Sequence, residues 1–316
     1  MVALEERSAF QATVRRQLSD LLVSHGETGA HLAPLLLSPT AKFFRSELVR
    51  LSAHPSQISK RALIDWAMSA ELIHAASLIH DDIVDESALR RDEPTLHMRK
   101  GNGWAVLAGD LLLSEALKVI ERYGPAAIRA ATSAVSSLTS AAMSEIDARP
   151  PNHGREPQLS RLSLEATRRI AVGKTGALFG YCLSAGPILN EDFDMAVRFT
   201  QAGLHLGTAY QFRDDLIDLI GEEGKPRASD LREGNPNAFL ALARELEGIP
   251  ASVLSEIALR NWDRAADQIL KLPARVPLLN RIQSEVAQAT TLLGSLAQEP
   301  QLTLLLETLR KDPQYV

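Results

Sequence analysis

Apolar residues recur at helical spacing along most of this chain. The segment 61–86 is rich in Ala, Leu and Ile and contains no Gly or Pro, which is typical of an α-helix. We find no run of alternating apolar and polar residues bounded by hairpin turns, the pattern that predicts antiparallel strands. The sequence therefore predicts an all-α fold. The predicted helices cover residues 5–24, 40–53, 61–86, 104–123, 126–147, 160–185, 191–221, 236–246, 251–259, 262–272 and 276–310.

Short segments rich in Pro and Gly separate the predicted helices. The breaks at 94–103 and 221–234 are typical, and neither is long enough or low enough in complexity for an interdomain linker. We therefore expect one domain over residues 1–316, a bundle of ten or more helices. Residues 61–80 are largely apolar, so this helix should be surrounded by other helices.

The composition is that of an ordinary globular protein, with 45% apolar and 23% charged residues and a net charge of −5. This balance offers no basic surface for nucleic acid, so binding a polyanion would need metal ions or a local cluster of cations. The one cysteine, Cys182, excludes an internal disulfide, and its apolar neighbours predict a buried structural thiol. We see no signal peptide and no transmembrane segment, and we expect a cytoplasmic protein.

An acidic pentad occurs twice. DDIVD begins at Asp81 near the end of one predicted helix, and DDLID begins at Asp214 in another. Residues four apart share a helix face, so Asp81 stacks on Asp85 and Asp214 stacks on Asp218, at a cost of about 0.2–0.5 kcal/mol per pair. A Mg²⁺ ion between the carboxylates would offset that cost. Solvated acidic helix ends are the alternative, but both pentads follow strongly apolar segments, where an exposed charged face is not expected.

Several side chains near the first pentad could bind a diphosphate. Arg90 and Arg91 follow it directly, and a guanidinium can hold phosphate oxygens with two hydrogen bonds, although paired arginines in a loop are often ordinary surface charge. Lys42 and Arg45 lie three residues apart at a predicted helix start, which also favours an anion. His74 lies two turns before the pentad on the same face, and its alternative role is that of a core histidine.

A second group of polar residues accompanies the second pentad. Lys174 and Thr175 interrupt an apolar stretch, where a lysine must find an anion or reach water. Gln211 precedes the pentad and Lys225 follows it. Together these side chains could bind the same diphosphate as the metal ions.

Taken in order, these motifs resemble the trans-isoprenyl diphosphate synthase family, and its long-chain polyprenyl members most closely. LIHAASLIHDDIVDESALRRDEPTLH resembles the family's first aspartate-rich region with its arginine pair, and AVLAGDLLLSEAL resembles the helix after it. KTGALF resembles the lysine–threonine motif, and GTAYQFRDDLIDLIGEEGKP the second aspartate-rich region. The resemblance extends over about residues 40–235.

The resemblance implies the isoprenoid synthase fold, an all-α bundle around a deep central cavity, and a homodimer whose product would be handed to a membrane. It implies that an allylic diphosphate and isopentenyl diphosphate are joined with three Mg²⁺ ions per active site. It assigns the metal ions to Asp81, Asp85, Asp214 and Asp218, the allylic diphosphate to Arg90, Lys174, Thr175, Gln211 and Lys225, and isopentenyl diphosphate to Lys42, Arg45, His74 and Arg91. Of these residues, Asp81, Asp85, Arg90, Lys174 and Asp214 would be catalytic.

The implied mechanism needs no side-chain nucleophile. The metal ions and cations stabilise the departing diphosphate, so that the allylic C–O bond ionises to a carbocation. The double bond of isopentenyl diphosphate attacks this cation, and the proton then lost goes to the released diphosphate.

Three segments depart from the family pattern. AKFFRS keeps the outer cations, Lys42 and Arg45, of a glycine–lysine–arginine motif and lacks the middle one. Arg168 stands where a tyrosine is usual. The sequence NPNAF, from Asn235, replaces a lysine–threonine–leucine–proline stretch.

Small residues before the first pentad predict a long product. Ala76 and Ser77, five and four residues before Asp81, take the places where short-chain members usually have an aromatic side chain. Further down this face Trp66 is the expected floor, about 22 Å below Asp81, which is room for roughly four or five isoprene units. We expect a linear product of C20 or longer.

Two alternatives remain open. A class I terpene cyclase also ionises an allylic diphosphate in an all-α fold, but its second metal motif normally mixes Asn, Ser and Glu, and it needs no second diphosphate site. A non-catalytic subunit of a heteromeric synthase would usually carry degenerate aspartate motifs, whereas both pentads here are complete.

Overall fold

The computed structural model describes residues 2–41, 43–53, 58–91, 93–149, 162–221 and 227–313. Two predicted substrate ligands, Lys42 and Lys225, lie outside the described residues. Within the described ranges there are seventeen α-helices and one short two-stranded hairpin. The prediction of an all-α fold with ten or more helices is therefore confirmed.

The helices follow one another along the chain with few long connections. They are α1 (Val2–Ser24), α2 (Gly26–Leu36), α3 (Phe44–Ser52), α4 (Lys60–Val84), α5 (Leu96–Lys100), α6 (Asn102–Ile120), α7 (Gly124–Asp147), α8 (Leu164–Ala171), α9 (Ala177–Leu183), α10 (Ala185–Leu189), α11 (Phe193–Ile220), α12 (Ser229–Glu233), α13 (Ala238–Leu246), α14 (Ala251–Ala258), α15 (Trp262–Ile269), α16 (Arg275–Leu293) and α17 (Pro300–Arg310). A π-helical segment, Val172–Gly176, joins α8 to α9, and 3₁₀ turns occupy Glu121–Tyr123 and Gly294–Gln298.

Several boundaries differ from the prediction. The helix α2 was missed because Pro34 and its neighbours suggested a break, yet the helix forms around Pro34 and buries Leu32 and Leu36. The helix predicted over 276–310 is interrupted at Gly294, which has a positive φ of 59°, and it resumes at Pro300, a residue suited to a helix start.

A hairpin that the sequence did not predict follows the first pentad. Its strands β1 (Leu89–Arg90) and β2 (Glu93–Pro94) pair antiparallel, with Arg90 opposite Glu93. Between the strands, Arg91 has a φ of +54°, a left-handed conformation that non-glycine residues adopt mainly in turns and at strained sites. The hairpin thus turns both arginines back beside the end of α4.

The chain divides into two compact units, each formed from two stretches. The first comprises Met1–Val135 and Leu178–Thr200, and the second comprises Ser136–Ala177 and Gln201–Val316. A single domain over 1–316 stays a prediction.

In the first unit α4 is the central element, packed against α1, α3, α6 and α10. It is long and apolar enough to cross a membrane, but 72% of its most apolar window is buried inside the protein, as expected for a core helix. The prediction that 61–80 would be surrounded by other helices is confirmed. Cys182 is also fully buried here, and burial raises the pKa of its thiol, which confirms a structural role.

In the second unit Glu285 of α16 joins two neighbouring helices. Its Oε1 accepts a hydrogen bond from Arg168 Nε of α8 at 2.6 Å, and its Oε2 lies 2.6 Å from Nδ1 of His205 on α11. Glu285 therefore neutralises Arg168, the residue that stands in place of the family's tyrosine. The departure is compensated by a buried carboxylate that no local sequence pattern indicates.

Candidate active site

The first pentad lies where α4 ends. The helix stops at Val84, and the N–H of Asp85 donates to the carbonyl oxygen of Asp81 at 2.8 Å, so the two residues are one turn apart. Both are partly exposed, whereas Asp82 between them is only 3% exposed. The pentad thus offers two stacked carboxylates on one face and a third that is part of the core.

Arg90 is bound to that third carboxylate. Its Nε lies 2.9 Å from Oδ1 and 3.1 Å from Oδ2 of Asp82, and its Nη2 lies 2.7 Å from Oδ1. A guanidinium has five N–H donors, so this ion pair leaves others for a phosphate. Asp82, which sequence reasoning left without a role, holds Arg90 at the end of α4.

His74 lies in a basic environment formed by α3 and the hairpin. Burial, and then the charges of Arg45, Arg90 and Arg91, hold its pKa well below the usual value. The imidazole is therefore neutral at neutral pH and can donate a hydrogen bond without adding charge. The first unit thus brings together, among its described residues, the side chains predicted to bind isopentenyl diphosphate, in a setting that favours an anion.

The predicted chain-length residues are buried to different degrees. Ala76 is fully buried, and the Ser77 hydroxyl donates to the His74 carbonyl oxygen at 2.8 Å. Trp66, also fully buried, stacks on Tyr181 of α9 with ring centroids 5.1 Å apart, and its Nε1 donates to the Tyr181 carbonyl oxygen at 3.1 Å. The sequence did not indicate Tyr181, because helical periodicity does not say which distant helix covers this face.

The second pentad lies in the last turns of α11. Asp214 is exposed, while Asp218 accepts hydrogen bonds from the N–H of Ser229 at 2.9 Å and of Asp230 at 3.3 Å. These donors belong to the first turn of α12, whose N–H groups lack partners within that helix. Asp218 therefore supports α12 with the same oxygens that were predicted to bind metal.

A chain of hydrogen bonds links the lysine–threonine motif to the second pentad. The Thr175 hydroxyl donates to Gln211 Oε1 at 2.8 Å, and Gln211 Nε2 donates to Asp215 Oδ1 at 2.9 Å. The other oxygen of Asp215 accepts from the N–H of Ala238 at 2.8 Å. Burial raises the pKa of Asp215 to about 7, with Asp214 among the groups that add to the effect. Thr175 and Gln211 are thus oriented by one buried carboxylate.

Lys174 lies in the π-helical segment, a distortion that often marks functional sites. Its Nζ is 2.5 Å from Oε2 of Glu145 on α7, so the lysine has found the anion that its apolar surroundings required. Glycines allow the close packing of this segment, since a Cβ on Gly207 of α11 would lie 2.5 Å from the Cα of Gly176.

The departure at NPNAF has a structural role. Asn237 is fully buried and caps α13 by accepting from the N–H groups of Phe239 and Leu240. Its amide also donates to Asp230 Oδ2 at 2.8 Å and to the Asp215 carbonyl oxygen at 3.0 Å. Asn237 therefore supports the second pentad from behind.

Comparisons with known proteins agree with these motifs. Residues 29–271 match the model of a family described as polyprenyl synthetase. Nonaprenyl diphosphate synthase of Mycobacterium tuberculosis is 33% identical over 204 residues, which cover 63% of this chain but only 58% of that relative. The crystal structure of a Caulobacter crescentus polyprenyl synthase complexed with calcium and isoprenyl diphosphate is 25% identical, with a TM-score of 0.85, and 98% of this chain and 97% of that one are covered. A geranylgeranyl pyrophosphate synthase from Corynebacterium glutamicum, complexed with isoprenyl diphosphate and magnesium, is 22% identical, with a TM-score of 0.82 and coverage of 96% and 98%.

Proposed function

Because this chain belongs to the polyprenyl synthetase family and has its all-α isoprenoid synthase fold, we propose that it is a trans-polyprenyl diphosphate synthase. It joins an allylic diphosphate to isopentenyl diphosphate, and its product is a linear polyprenyl diphosphate. The observation that carries the proposal is that each acidic pentad is joined by hydrogen bonds to polar side chains suited to binding phosphate. Asp82 of the first pentad binds Arg90 in one unit, and Asp215 of the second is linked through Gln211 to Thr175 in the other.

Magnesium is the metal that suits these donors, because hard oxygen ligands and substrate phosphates are what it prefers. Asp81 and Asp85 would hold two ions and Asp214 the third. Asp218 would support the third ion, because its carboxylate oxygens keep free lone pairs after accepting the two backbone hydrogen bonds from α12. The bound ions would stabilise the negative charge of the departing diphosphate.

In this proposal the allylic diphosphate is bound by Arg90, Lys174, Thr175, Gln211 and Lys225. Arg90 uses the N–H donors that Asp82 leaves unoccupied, and Lys174 exchanges Glu145 for a phosphate oxygen. Gln211 directs its second amide N–H to the same diphosphate, and the Thr175 hydroxyl turns from Gln211 to donate to a phosphate oxygen. Lys225 joins them.

Isopentenyl diphosphate binds to Arg45, Arg91 and Lys42, with the neutral His74 as a hydrogen-bond donor. The chemistry needs no nucleophile from the protein. Once the allylic C–O bond breaks, the double bond of isopentenyl diphosphate forms the new C–C bond, and the released diphosphate accepts the proton.

The product is C20 or longer in this proposal. Ala76 and Ser77 place little side-chain bulk on the face below Asp81, and further down α4 the Tyr181 hydroxyl donates to Ser69 Oγ at 2.8 Å. Ser69 is twelve residues before Asp81, about 18 Å along the helix, which admits roughly four isoprene units. Replacing Ala76 with Phe should shorten the product, as resolved by chromatography. An unchanged product length contradicts this placement.

A single assay separates the proposed function from its rivals. The purified protein is incubated with Mg²⁺, labelled isopentenyl diphosphate and C10, C15 or C20 allylic primers, and the products are resolved by length. A synthase yields labelled prenyl diphosphate that requires both substrates. A terpene cyclase releases hydrocarbon from the allylic diphosphate alone, and a non-catalytic subunit gives no product without a partner chain.

The family resemblance also supports a homodimer in the cytoplasm that hands its apolar product to a membrane. Light scattering of the purified protein should give twice the mass of 34.5 kDa. A monomeric mass at micromolar concentration would contradict the dimer and leave the proposed chemistry unaffected.

A further inference from the structure

We propose that Glu71 is a positioning residue for isopentenyl diphosphate. Its carboxylate ties the first turn of α3 to α4 and thereby fixes the Arg45 guanidinium beside His74. The identity of the ligand rests on the proposed function, whereas the positioning rests on contacts within the first unit. Glu71 belongs to α4 and lies three residues before His74, on a neighbouring part of the same face.

Glu71 makes two hydrogen bonds to one residue of α3. Its Oε1 accepts from the backbone N–H of Ser46 at 3.0 Å and from the Ser46 hydroxyl at 2.8 Å. The helix α3 begins at Phe44, so Ser46 lies in its first turn, where backbone N–H groups have no partner within the helix. The carboxylate therefore acts as an N-cap supplied by another helix.

The described N-cap residue of α3, Phe43, supplies no side-chain cap. Phe43 precedes the helix in the left-handed region with a φ of +47°, and its side chain accepts no hydrogen bond. By contrast, α8 and α13 are capped by residues of their own chain segment, Ser163 and Asn237. The place where α3 begins thus depends on α4.

Arg45 lies next to the capped residue in sequence and interacts with the same carboxylate. Burial raises the pKa of Glu71, while the charge of Arg45 and the two hydrogen bonds from Ser46 oppose the rise. The Arg45 guanidinium carbon also lies 5.9 Å from the centroid of the Phe179 ring, a cation–π contact. Glu71 thus attracts Arg45 and holds the turn of helix that carries it.

Glu71 can affect anion binding in two opposite ways. As a hydrogen-bond acceptor it orders α3, which helps an anion to bind at Arg45. As a negative charge it opposes that anion. We assign the first contribution as dominant, so Glu71→Gln, which keeps the acceptor oxygen, should behave like the wild type, and Glu71→Ala should not.

Binding of inorganic pyrophosphate tests the proposal without turnover. Calorimetry is done in EDTA, so that the cationic site is measured apart from the metal site. We expect Glu71→Ala to weaken binding about tenfold or more, since two hydrogen bonds are lost, and Glu71→Gln to stay within about threefold of the wild type. Unchanged binding by Glu71→Ala, or no binding of pyrophosphate by the wild type, overturns the proposal.

Glu47→Ala is the matched control. Glu47 also lies in the first turn of α3, but it binds Arg50, at 3.0 Å to Nε and 2.7 Å to Nη2, and not Ser46. Equal weakening by Glu47→Ala and Glu71→Ala would indicate general damage to α3 and would contradict a positioning role. If Glu71→Ala does not fold, Ser46→Ala removes one of the two bonds and should weaken pyrophosphate about threefold, with unchanged binding counting against the proposal.

Steady-state kinetics then locate the effect. Glu71→Ala should raise the KM for isopentenyl diphosphate about tenfold or more and leave the KM for the allylic primer within about twofold. Equal rises in both constants overturn the assignment to one substrate. A wild-type protein that makes no isopentenyl-dependent product contradicts the proposed function, and in that case the pyrophosphate measurements still decide whether Glu71 positions an anion site.

Discussion

The two acidic pentads have the same spacing, yet their surroundings differ. In the first, the carboxylate of Asp82 is buried and is bound by the side chain of Arg90. In the second, Asp215 and Asp218 accept hydrogen bonds from the amide of Gln211 and from backbone N–H groups of α12 and α13. The first pentad therefore orients a cation, Arg90, whereas the second anchors the helices that follow it, α12 and α13.

This difference predicts how each pentad responds to change. The first carboxylates of the two pentads, Asp81, which is partly exposed, and Asp214, which is exposed, should affect catalysis and leave stability nearly unchanged. The remaining carboxylates should differ, because among the described residues Asp82 binds one arginine, whereas Asp215 and Asp218 bind backbone N–H groups at the starts of α13 and α12. Catalytic and structural roles are thus divided between neighbouring residues of the first pentad, whereas Asp218 of the second has both.

Loss of the Asp81 or the Asp214 carboxylate should have the largest effect. We expect Asp81→Asn and Asp214→Asn each to lower kcat about a thousandfold or more, because a metal ion that stabilises the leaving group is held less well. Thermal denaturation should show a nearly unchanged Tm. Asp194→Asn, an exposed carboxylate near the start of α11, is the control and should leave kcat as it is. A similar fall in that variant would show that the effect is not specific to the pentads.

The buried support of the second pentad should dominate stability. Asn237→Ala removes the cap of α13 and two donors to buried acceptors, and we expect the free energy of unfolding to fall by about 2–3 kcal/mol in a urea titration. Asp82→Asn should cost less, because its partner Arg90 is 30% exposed and can turn to water. Asn235→Ala, two residues from Asn237, is the control and should lower the free energy of unfolding less. The Asn235 side chain donates to Glu233 in its own segment, and within the described part of the chain it makes no hydrogen bond to the second pentad. Equal losses for Asp82→Asn and Asn237→Ala would remove the distinction between the pentads.

The carboxylate that holds Lys174 should compete with substrate. We expect Glu145→Gln to lower the KM for the allylic diphosphate about two- to fivefold, since the lysine no longer gives up a charged partner when phosphate binds. Lys174→Ala should change the KM in the opposite direction. A higher KM for Glu145→Gln would mean that Glu145 orients the lysine and that competition is the weaker effect.

The smallest expected difference is in how the free energy of unfolding depends on pH, where His74 near the first pentad and Asp215 in the second should act in opposite directions. In the folded protein the pKa of His74 lies well below the value of about 6.5 that a histidine has in the unfolded chain. Between these two pKa values the unfolded chain binds more protons than the folded protein does. The contribution of His74 to stability therefore falls as the pH drops through about 6.5. Asp215, with a pKa raised to about 7, has the opposite sign: the folded state binds the extra proton, so its contribution falls as the pH rises from about 4 towards 7.

His74→Gln isolates the first of these effects. The wild type should lose more stability than this variant between pH 6.5 and pH 5, as measured by urea unfolding at each pH, where about 6.5 is the ordinary pKa of histidine. NMR of the imidazole should also show its pKa rising when pyrophosphate binds without metal, because the anion offsets the nearby arginines. An unmoved pKa would place pyrophosphate away from His74.

Sequence reasoning succeeded where structure depends on residues close in the chain. The helical spacing of apolar residues predicted α4, and the spacing of four residues predicted that Asp81 and Asp85 stack. It failed at α2, where burial of leucines outweighs the expectation that Pro34 breaks a helix. It also failed at the hairpin, whose strands of two residues carry no periodic signal.

The partners of the functional residues could not be predicted for a related reason. Glu145 is 29 residues from Lys174, and Glu71 is 25 residues from Ser46, and no local pattern connects either pair. Charge alone indicates that a buried lysine needs an anion, but the choice among the 39 acidic residues depends on how helices pack. The motifs thus identified the groups that face substrate and not those that hold them in place.

The widened helical turn at Val172–Gly176 limits how this site can vary. It crosses α11 at Gly207, where one added methyl group would come within 2.5 Å of the backbone of Gly176. Four residues beyond Gly207, about one helical turn, lies Gln211, which is bonded to Thr175. An alanine at either glycine would push the two backbones apart and displace Lys174, Thr175 and Gln211 together. A mutational scan should therefore find these two glycines as intolerant of change as the aspartates, although neither offers a polar side chain.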